Sequence, residues 1–302
     1  MGSRAAVFKI GDVTVTKVEE QLLRAIPPTF LYPELATQEF ANVEQTLTAS
    51  DLEPSRDELV LSVHTWVVRT PRHLILIDTA SGNDKERPTN PLFHRQKLPY
   101  LDRLEEAGVD PGAVDFVFNT HLHVDHSGWN TRLVNGRWVP TFPQARYVFP
   151  KAERDYYSSP ASHNDANLPS LGVYEDSVLP VIDAGLADYV GPEGGKYLDA
   201  FEFIPTPGHS IGHMSIALRS GGETAIFAGD VMHTALQVAR PDMNTVYCEF
   251  TDEAKRSRQK LLGLAAETGA LYLSTHFPGS SAGFVTSDAD GFTWRYAQGA
   301  SS

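Results

Sequence analysis

The stretch Thr120-His121-Leu122-His123-Val124-Asp125-His126-Ser127-Gly128 constrains the fold more tightly than any other part of this chain. In extended backbone successive side chains point to opposite faces, so His121 and His123 face the same way and can reach one ion, with Asp125 and His126 just beyond. An apolar run rich in Val and Phe, residues 114–119, precedes it, and Ser127-Gly128 closes it with a turn signal. The run therefore belongs to a loop leaving a buried strand. With 11 His and 38 Asp plus Glu in 302 residues, roughly 0.002 chance occurrences of three imidazoles and a carboxylate in this pattern are expected.

Three further signals share that placement. Pro207-Gly208-His209 follows a strand-like run at 201–205, Gly229-Asp230 follows one at 224–227, and His276 follows one at 271–274. Each candidate ligand sits just past the C-terminal end of a predicted strand, where loops converge on α/β scaffolds. Further strands are predicted at 13–18, 60–69, 74–78, 145–149 and 214–219, each short and bounded by Gly, Pro, Asn or Asp. Helices are predicted at 97–107, 150–157 and 252–268, the last capped by Asp252 and stopped at Gly269. Groups of strands separated by helices predict an α/β chain with two packed sheets and helices on the outer faces. No repeat or low-complexity tract divides residues 1–302, so one domain is expected. It would carry an irregular arm at 19–50 and a rim loop at 158–176.

Charge and cysteine content narrow the function classes. A net charge of −13 repels a phosphate backbone over most of the surface and argues against nucleic acid as a partner. Cys248 is the only cysteine, so no internal disulfide forms, and it is expected as a small buried apolar residue. Residues 1–20 have no apolar signal core and no stretch approaches the ~20 apolar residues of a membrane span. A cytoplasmic protein without membrane contact is expected. Neither a Gly-x-Ser-x-Gly elbow nor a catalytic-cysteine setting occurs.

Taken together, Thr120–His126 with Gly128, Pro207-Gly208-His209, Gly229-Asp230 and His276 resemble the metallo-β-lactamase-fold hydrolase superfamily. The resemblance implies an αββα sandwich with a dinuclear metal site at one edge of the sheets. It implies that His121, His123 and His209 hold one metal, that Asp125, His126 and His276 hold the second, and that Asp230 bridges them. Asp78 matches an acid that orients a ligand histidine. Zinc suits these ligands, with iron, manganese and cobalt also compatible. Chemistry of this kind uses a metal-bridging hydroxide and metal Lewis acidity, with Asp125 both ligand and proton carrier.

Within the superfamily, Asp230 stands where β-lactamases have Cys or Ser, whereas acyl-homoserine lactonases share the full ligand set. Those lactonases carry a Tyr three residues after the bridging Asp, and this chain has His233 there. The wording around Asp125, Asp230 and His276 resembles the branch of methyl-parathion-hydrolase-like enzymes and their lactonase and esterase relatives. The resemblance implies a hydrolase of lactones or activated esters, in which His233 either contacts substrate or only supports the ligands. Phosphotriester hydrolysis is the alternative within the enzyme class, and a catalytically silent metal-binding module the alternative outside it. Aromatic residues expected at the rim are Phe30, Tyr32, Trp66, Trp129, Phe277 and Phe284, of which Phe30, Tyr32, Trp129 and Phe277 are the candidate substrate contacts. His213 is assigned to support of the ligands, and His64, His73, His94 and His163 to ordinary surface or loop positions. A small-molecule substrate and a homodimer are expected.

Overall fold

The computed structural model of the chain describes residues 6–35, 40, 46–55 and 57–301. In chain order the first strands are β1 (Ala6–Ile10), β2 (Val13–Ile26), β3 (Leu59–Arg69), β4 (Leu74–Ile77) and β5 (Phe116–Phe118). A hairpin β6 (Thr131–Val134) and β7 (Arg137–Pro140) follows, then β8 (Arg146–Pro150) and β9 (Ala187–Val190). The later strands are β10 (Gly195–Tyr197), β11 (Phe201–Pro205), β12 (Met214–Ser220), β13 (Glu223–Phe227) and β14 (Leu271–Leu273). The last are β15 (Ala282–Asp288), β16 (Gly291–Tyr296) and β17 (Ala300–Ser301). Among the described residues the α-helices used below are α1 (Pro28–Leu31), α2 (Tyr100–Glu106), α3 (Lys151–Tyr157) and α4 (Thr251–Thr268).

Apart from the β6–β7 pair, these strands make two large mixed sheets. One has eight strands in the order β17-β1-β2-β3-β4-β5-β8-β9, and the other seven in the order β10-β11-β12-β13-β14-β15-β16. Two compact units emerge from the internal contacts: Met1–Gln21, Val63–Gly195 and Ala300–Ser302 form one, and Leu22–Ser62 with Lys196–Gly299 form the other.

In the first unit β4, β5 and β8 run parallel, with Ile77, Phe118 and Val148 in register. Parallel strands are buried, which is why they read as continuous runs of Val, Ile, Leu and Phe rather than alternating ones. Their C-terminal ends share one edge, so Asp78, the 119–126 loop and the start of α3 emerge side by side. In the second unit β13 and β14 are parallel, and β11 and β13 are both antiparallel to β12. The ends of β11, β13 and β14 therefore also share an edge, from which residues 206–213, 228–230 and 274–276 leave.

Several sequence-based expectations need correction. The arm at 19–50 is not irregular from its start, because β2 continues to Ile26 and stops only where Pro27 and Pro28 remove two backbone donors. Part of that arm lies outside the described residues. The rim loop at 158–176 is wound into short turns at Pro160–Ser162, Asp165–Ser170 and Tyr174–Val178. Pro160 presets the first, and the Asn164 side chain accepts from the Asn167 N–H to cap the second. Helix α2 starts at Tyr100 rather than 97, because Pro99 biases Leu98 away from helical backbone. Asp252 is not the cap of α4; Phe250 holds that position with no side-chain cap, and Asp252 and Glu253 lie in the first turn, where the helix dipole favours acids. Gly269 does stop α4, with a left-handed φ of 61°. His64 is no surface residue: β3 is buried along almost its whole length, and the imidazole packs edge-on against Trp66, two residues along the same face. The strands β1, β9 and β10 and the hairpins β6–β7 and β15–β16 escaped the sequence reading. No helix among the described residues is long and apolar enough to cross a membrane.

Candidate metal centre

The first unit carries a cluster of imidazoles and carboxylates at the end of β5. The loop after β5 brings His121 and His126 to a ring separation of 4.0 Å and His121 and His123 to 4.6 Å. All three are buried, and Asp125 is half-buried with Oδ1 3.7 Å from His126 Nε2. Asp78, at the end of β4, has φ of 55°, a left-handed conformation that Asp tolerates better than most residues. Its carboxylate accepts from the Thr120 N–H at 2.8 Å, the Thr120 hydroxyl at 2.9 Å and His126 Nδ1 at 2.9 Å.

Those bonds fix two tautomers. A carboxylate can only accept, so His126 carries its proton on Nδ1 and offers Nε2 as a lone pair. The Thr120 hydroxyl spends its proton on Asp78, so at 3.0 Å it accepts from His121 Nδ1, which leaves Nε2 of His121 as the donor atom. One carboxylate thereby aims two imidazoles, the usual arrangement behind metal-ligating histidines.

The second unit carries a cluster of its own. Asp230, buried in the short turn after β13, has Oδ2 3.0 Å from His276 Nε2, 3.2 Å from His209 Nε2 and 3.4 Å from His233 Nε2. His276 Nδ1 lies 2.9 Å from the Ser62 carbonyl, which can only accept, so in the neutral ring His276 Nε2 carries a lone pair toward the carboxylate. An Nε2 and a carboxylate oxygen 3.0 Å apart attract only with a cation between them, a second ring proton or a metal ion. Donors about 2.1 Å from one ion, separated by angles of 90–110°, stand roughly 3.0–3.4 Å apart. All three separations fall in that interval, so the donor set fits a divalent ion, and His209, Asp230 and His233 form a group able to hold one.

His213 is excluded as a ligand on chemical grounds. Its Nε2 accepts from the Asp230 N–H at 2.9 Å, and Nδ1 faces the Thr206 hydroxyl at 2.9 Å. Its lone pair is occupied, and its role is to hold the Asp230 backbone, as the sequence suggested. The His209 loop is stitched to the segment before α4 by Phe250 N to Gly208 O at 2.8 Å and Glu249 N to His209 O at 3.1 Å.

The aromatic rim expected from sequence is mostly interior. Tyr32 is fully buried, with its hydroxyl 2.6 Å from Thr234 Oγ1 and donating to Gln237 Oε1 at 3.3 Å; burial pushes its phenol pKa up. Gln237 Oε1 also accepts from the His233 N–H at 2.7 Å, so Tyr32 braces the His233 backbone from behind. Trp129 is stacked on Tyr100 and donates its indole N–H to the buried Glu20 at 2.6 Å. Phe277 packs edge-on against Trp294, and Trp66 is buried beside Phe8. Large rings bury 150–250 Å² each, and here interior packing claims that area. Phe30 alone of the four candidate contacts is exposed, at 51%. It meets Tyr247 edge-on at 6.4 Å, and Tyr247 lies 5.9 Å from the His233 ring. Sequence reasoning missed Tyr247, and no local motif marks it. Thr120 was visible beside the histidines but its relay to Asp78 was not.

Two buried sets of imidazoles and carboxylates, each at the C-terminal edge of a sheet, define a metal-dependent α/β hydrolase scaffold. The profile of the Metallo-beta-lactamase superfamily matches residues 59–276, and the chain belongs to that family. It is 26% identical over 240 residues to the N-acyl homoserine lactonase AttM of Azorhizobium caulinodans, covering 72% of this chain and 82% of that one. Among solved structures it resembles the hydrolase AbOPH of the beta lactamase superfamily, with a TM-score of 0.83, 22% identity and 98% of each chain covered. It also resembles AidC, a dizinc quorum-quenching lactonase solved with the product N-hexnoyl-L-homoserine, with a TM-score of 0.77, 22% identity and 98% of each chain covered.

Proposed function

We propose that this chain is a metal-dependent lactone hydrolase acting on N-acyl homoserine lactones, with a dinuclear zinc centre. The observation that carries the reading is the placement of the buried His209 and His276 Nε2 atoms 3.2 and 3.0 Å from Asp230 Oδ2. The names of the lactonase relatives support the substrate class. Under this reading His121, His123 and His209 would hold one ion and Asp125, His126 and His276 the second, with Asp230 serving both. Ions held there lower the pKa of water toward 7 and polarise a carbonyl oxygen as Lewis acids.

The side chains divide the remaining work. Asp78, through Thr120 and directly, keeps His121 and His126 in the tautomers that offer Nε2. His213 holds the Asp230 backbone, and the Ser62 carbonyl orients His276. Asp125, half-buried where its neighbours are buried, has the access needed to carry a proton to the ring-opened alkoxide. His233, stacked on His276 at 5.1 Å and 12°, faces the substrate carbonyl in place of a phenol. The row His233, Tyr247, Phe30 offers an apolar face to the acyl chain.

The test is a panel comprising an N-acyl homoserine lactone, an aryl ester and an aryl phosphotriester, run on the zinc-loaded protein. The lactone should show the highest kcat/KM, and a phosphotriester turned over faster than the lactone overturns the substrate assignment. His233→Ala should lower kcat more than it raises KM.

A further inference from the structure

We propose that Glu153 and Ser170 are positioning residues for the metal-ligating loop, so that α3 and the 158–178 segment together control metal affinity. The inference rests on the metal centre proposed above. Between the proposed ligands His121, His123 and Asp125 lie Leu122 and Val124, whose side chains are buried. Neither N–H joins a sheet. The Leu122 N–H donates to Glu153 Oε2 at 3.1 Å, and the Val124 N–H donates to Ser170 Oγ at 3.1 Å.

Both acceptors are themselves interior. Glu153 is fully buried in the first turn of α3, directly after parallel strand β8, and Ser170 is 5% exposed at the end of the turn Asp165–Ser170. A buried amide N–H left without an acceptor costs about 1–3 kcal/mol, so the loop gains a defined depth and twist only when both acceptors are present. Further ties lock the same register. Tyr157 stands edge-on to His123 at 6.2 Å and 89°, and its hydroxyl donates to Asn167 Oδ1 at 2.9 Å. The Ser127 hydroxyl donates to the His123 carbonyl at 3.0 Å.

The segment bearing Ser170 is bolted to the same unit from the other side. Arg87 forms a two-pronged pair with Asp176 at 2.6 and 2.8 Å, and the Thr89 hydroxyl donates to the Leu168 carbonyl at 2.6 Å. Ser170 sits between these anchors, so displacement of the 158–178 segment withdraws the acceptor for Val124. Ligand distances tolerate only about ±0.2 Å, so loss of either tether reaches the metal through His123 and Asp125.

The experiment compares Glu153→Ala, Glu153→Gln, Ser170→Ala and Ser170→Thr with the parent protein and with Ser162→Ala as a control from the same segment. The readouts are zinc affinity by chelator competition and the visible absorption of the cobalt-loaded protein, with circular dichroism to verify folding. Ser170→Ala and Glu153→Ala should each weaken zinc binding about tenfold or more and shift the cobalt bands. Ser170→Thr and Glu153→Gln, which keep an oxygen acceptor, should restore most of that loss. If Glu153→Ala does not fold, the Ser170 pair decides alone. Parent-like affinity and cobalt bands in Ser170→Ala overturn the inference, as does an equal effect from Ser162→Ala. A parent protein that takes up no cobalt or zinc instead refutes the metal centre, and this inference with it.

Discussion

Gly208→Ala should unfold the chain more easily and strip it of metal by one geometric cause. Gly208 has φ of 128°, a backbone region that residues with a Cβ rarely enter. A Cβ built there falls 2.0 Å from the Ala254 backbone nitrogen and 2.4 Å from its Cα. To reach ordinary contact at 3.4 Å the His209 loop and the first turn of α4 must part by about 1.4 Å. That parting breaks the Phe250–Gly208 and Glu249–His209 backbone bonds that fasten the loop. Strained backbone of this kind costs about 1–3 kcal/mol and overpacking about 1–3 kcal/mol, so a loss of roughly 2–6 kcal/mol follows. His209 is the adjacent residue, and a 1.4 Å shift of its ring is several times the ~0.2 Å that coordination tolerates. Urea unfolding of the metal-free protein measures the first effect and zinc titration the second. Gly263→Ala is the contrasting variant: no atom lies within 4 Å of its Cβ position in mid-helix α4, so it should stabilise by about 0.5–1 kcal/mol. A Gly208→Ala protein with parent-like unfolding midpoint and zinc affinity refutes the reasoning.

Three further perturbations probe the first unit. Burial pushes the Lys85 ammonium down to about 7 from 10.5, so between those values the unfolded chain holds a proton that the folded chain has released. Stability should therefore rise with pH from about 7 to 10.5 and stay level in this contribution below 7, and Lys85→Met should flatten the rise; parallel pH curves contradict it. Trp129→Phe removes the indole donor to buried Glu20 and should cost about 1–3 kcal/mol, and a double-mutant cycle with Glu20→Gln showing no coupling contradicts that. Asp78→Asn cannot accept from both Thr120 and His126 as the carboxylate does, and should weaken zinc binding about 10–100-fold in chelator competition; unchanged affinity contradicts the tautomer assignment.

The sequence marked the strand ends and hid much of what packs around them. The residues proposed as ligands, His121, His123, Asp125, His126, His209, Asp230 and His276, stand out because strand ends and short motifs are local features, and the observed strands β5, β11, β13 and β14 end just before them. His213 was legible for the same reason. Glu153 and Ser170 were not, because each meets a backbone N–H more than 30 residues away in sequence, and no spacing rule encodes such a contact. The aromatic rim failed differently. A Trp or Tyr reads the same in a core as at a rim, and only tertiary packing sent Tyr32, Trp129 and Phe277 inward. Edge strands such as β9 and β10 were missed because they are short and half-exposed, without the apolar run that marks a central strand.

Metal analysis coupled to lactone turnover bears most directly on the central claim. The protein as purified and after zinc loading should carry two ions per chain and open the ring of an N-acyl homoserine lactone. Chelation should abolish that activity, zinc should restore it, and Asp230→Ala should lose both metal and turnover. A chelated, metal-free protein or a metal-free Asp230→Ala variant that hydrolyses the lactone at the parent rate contradicts the account.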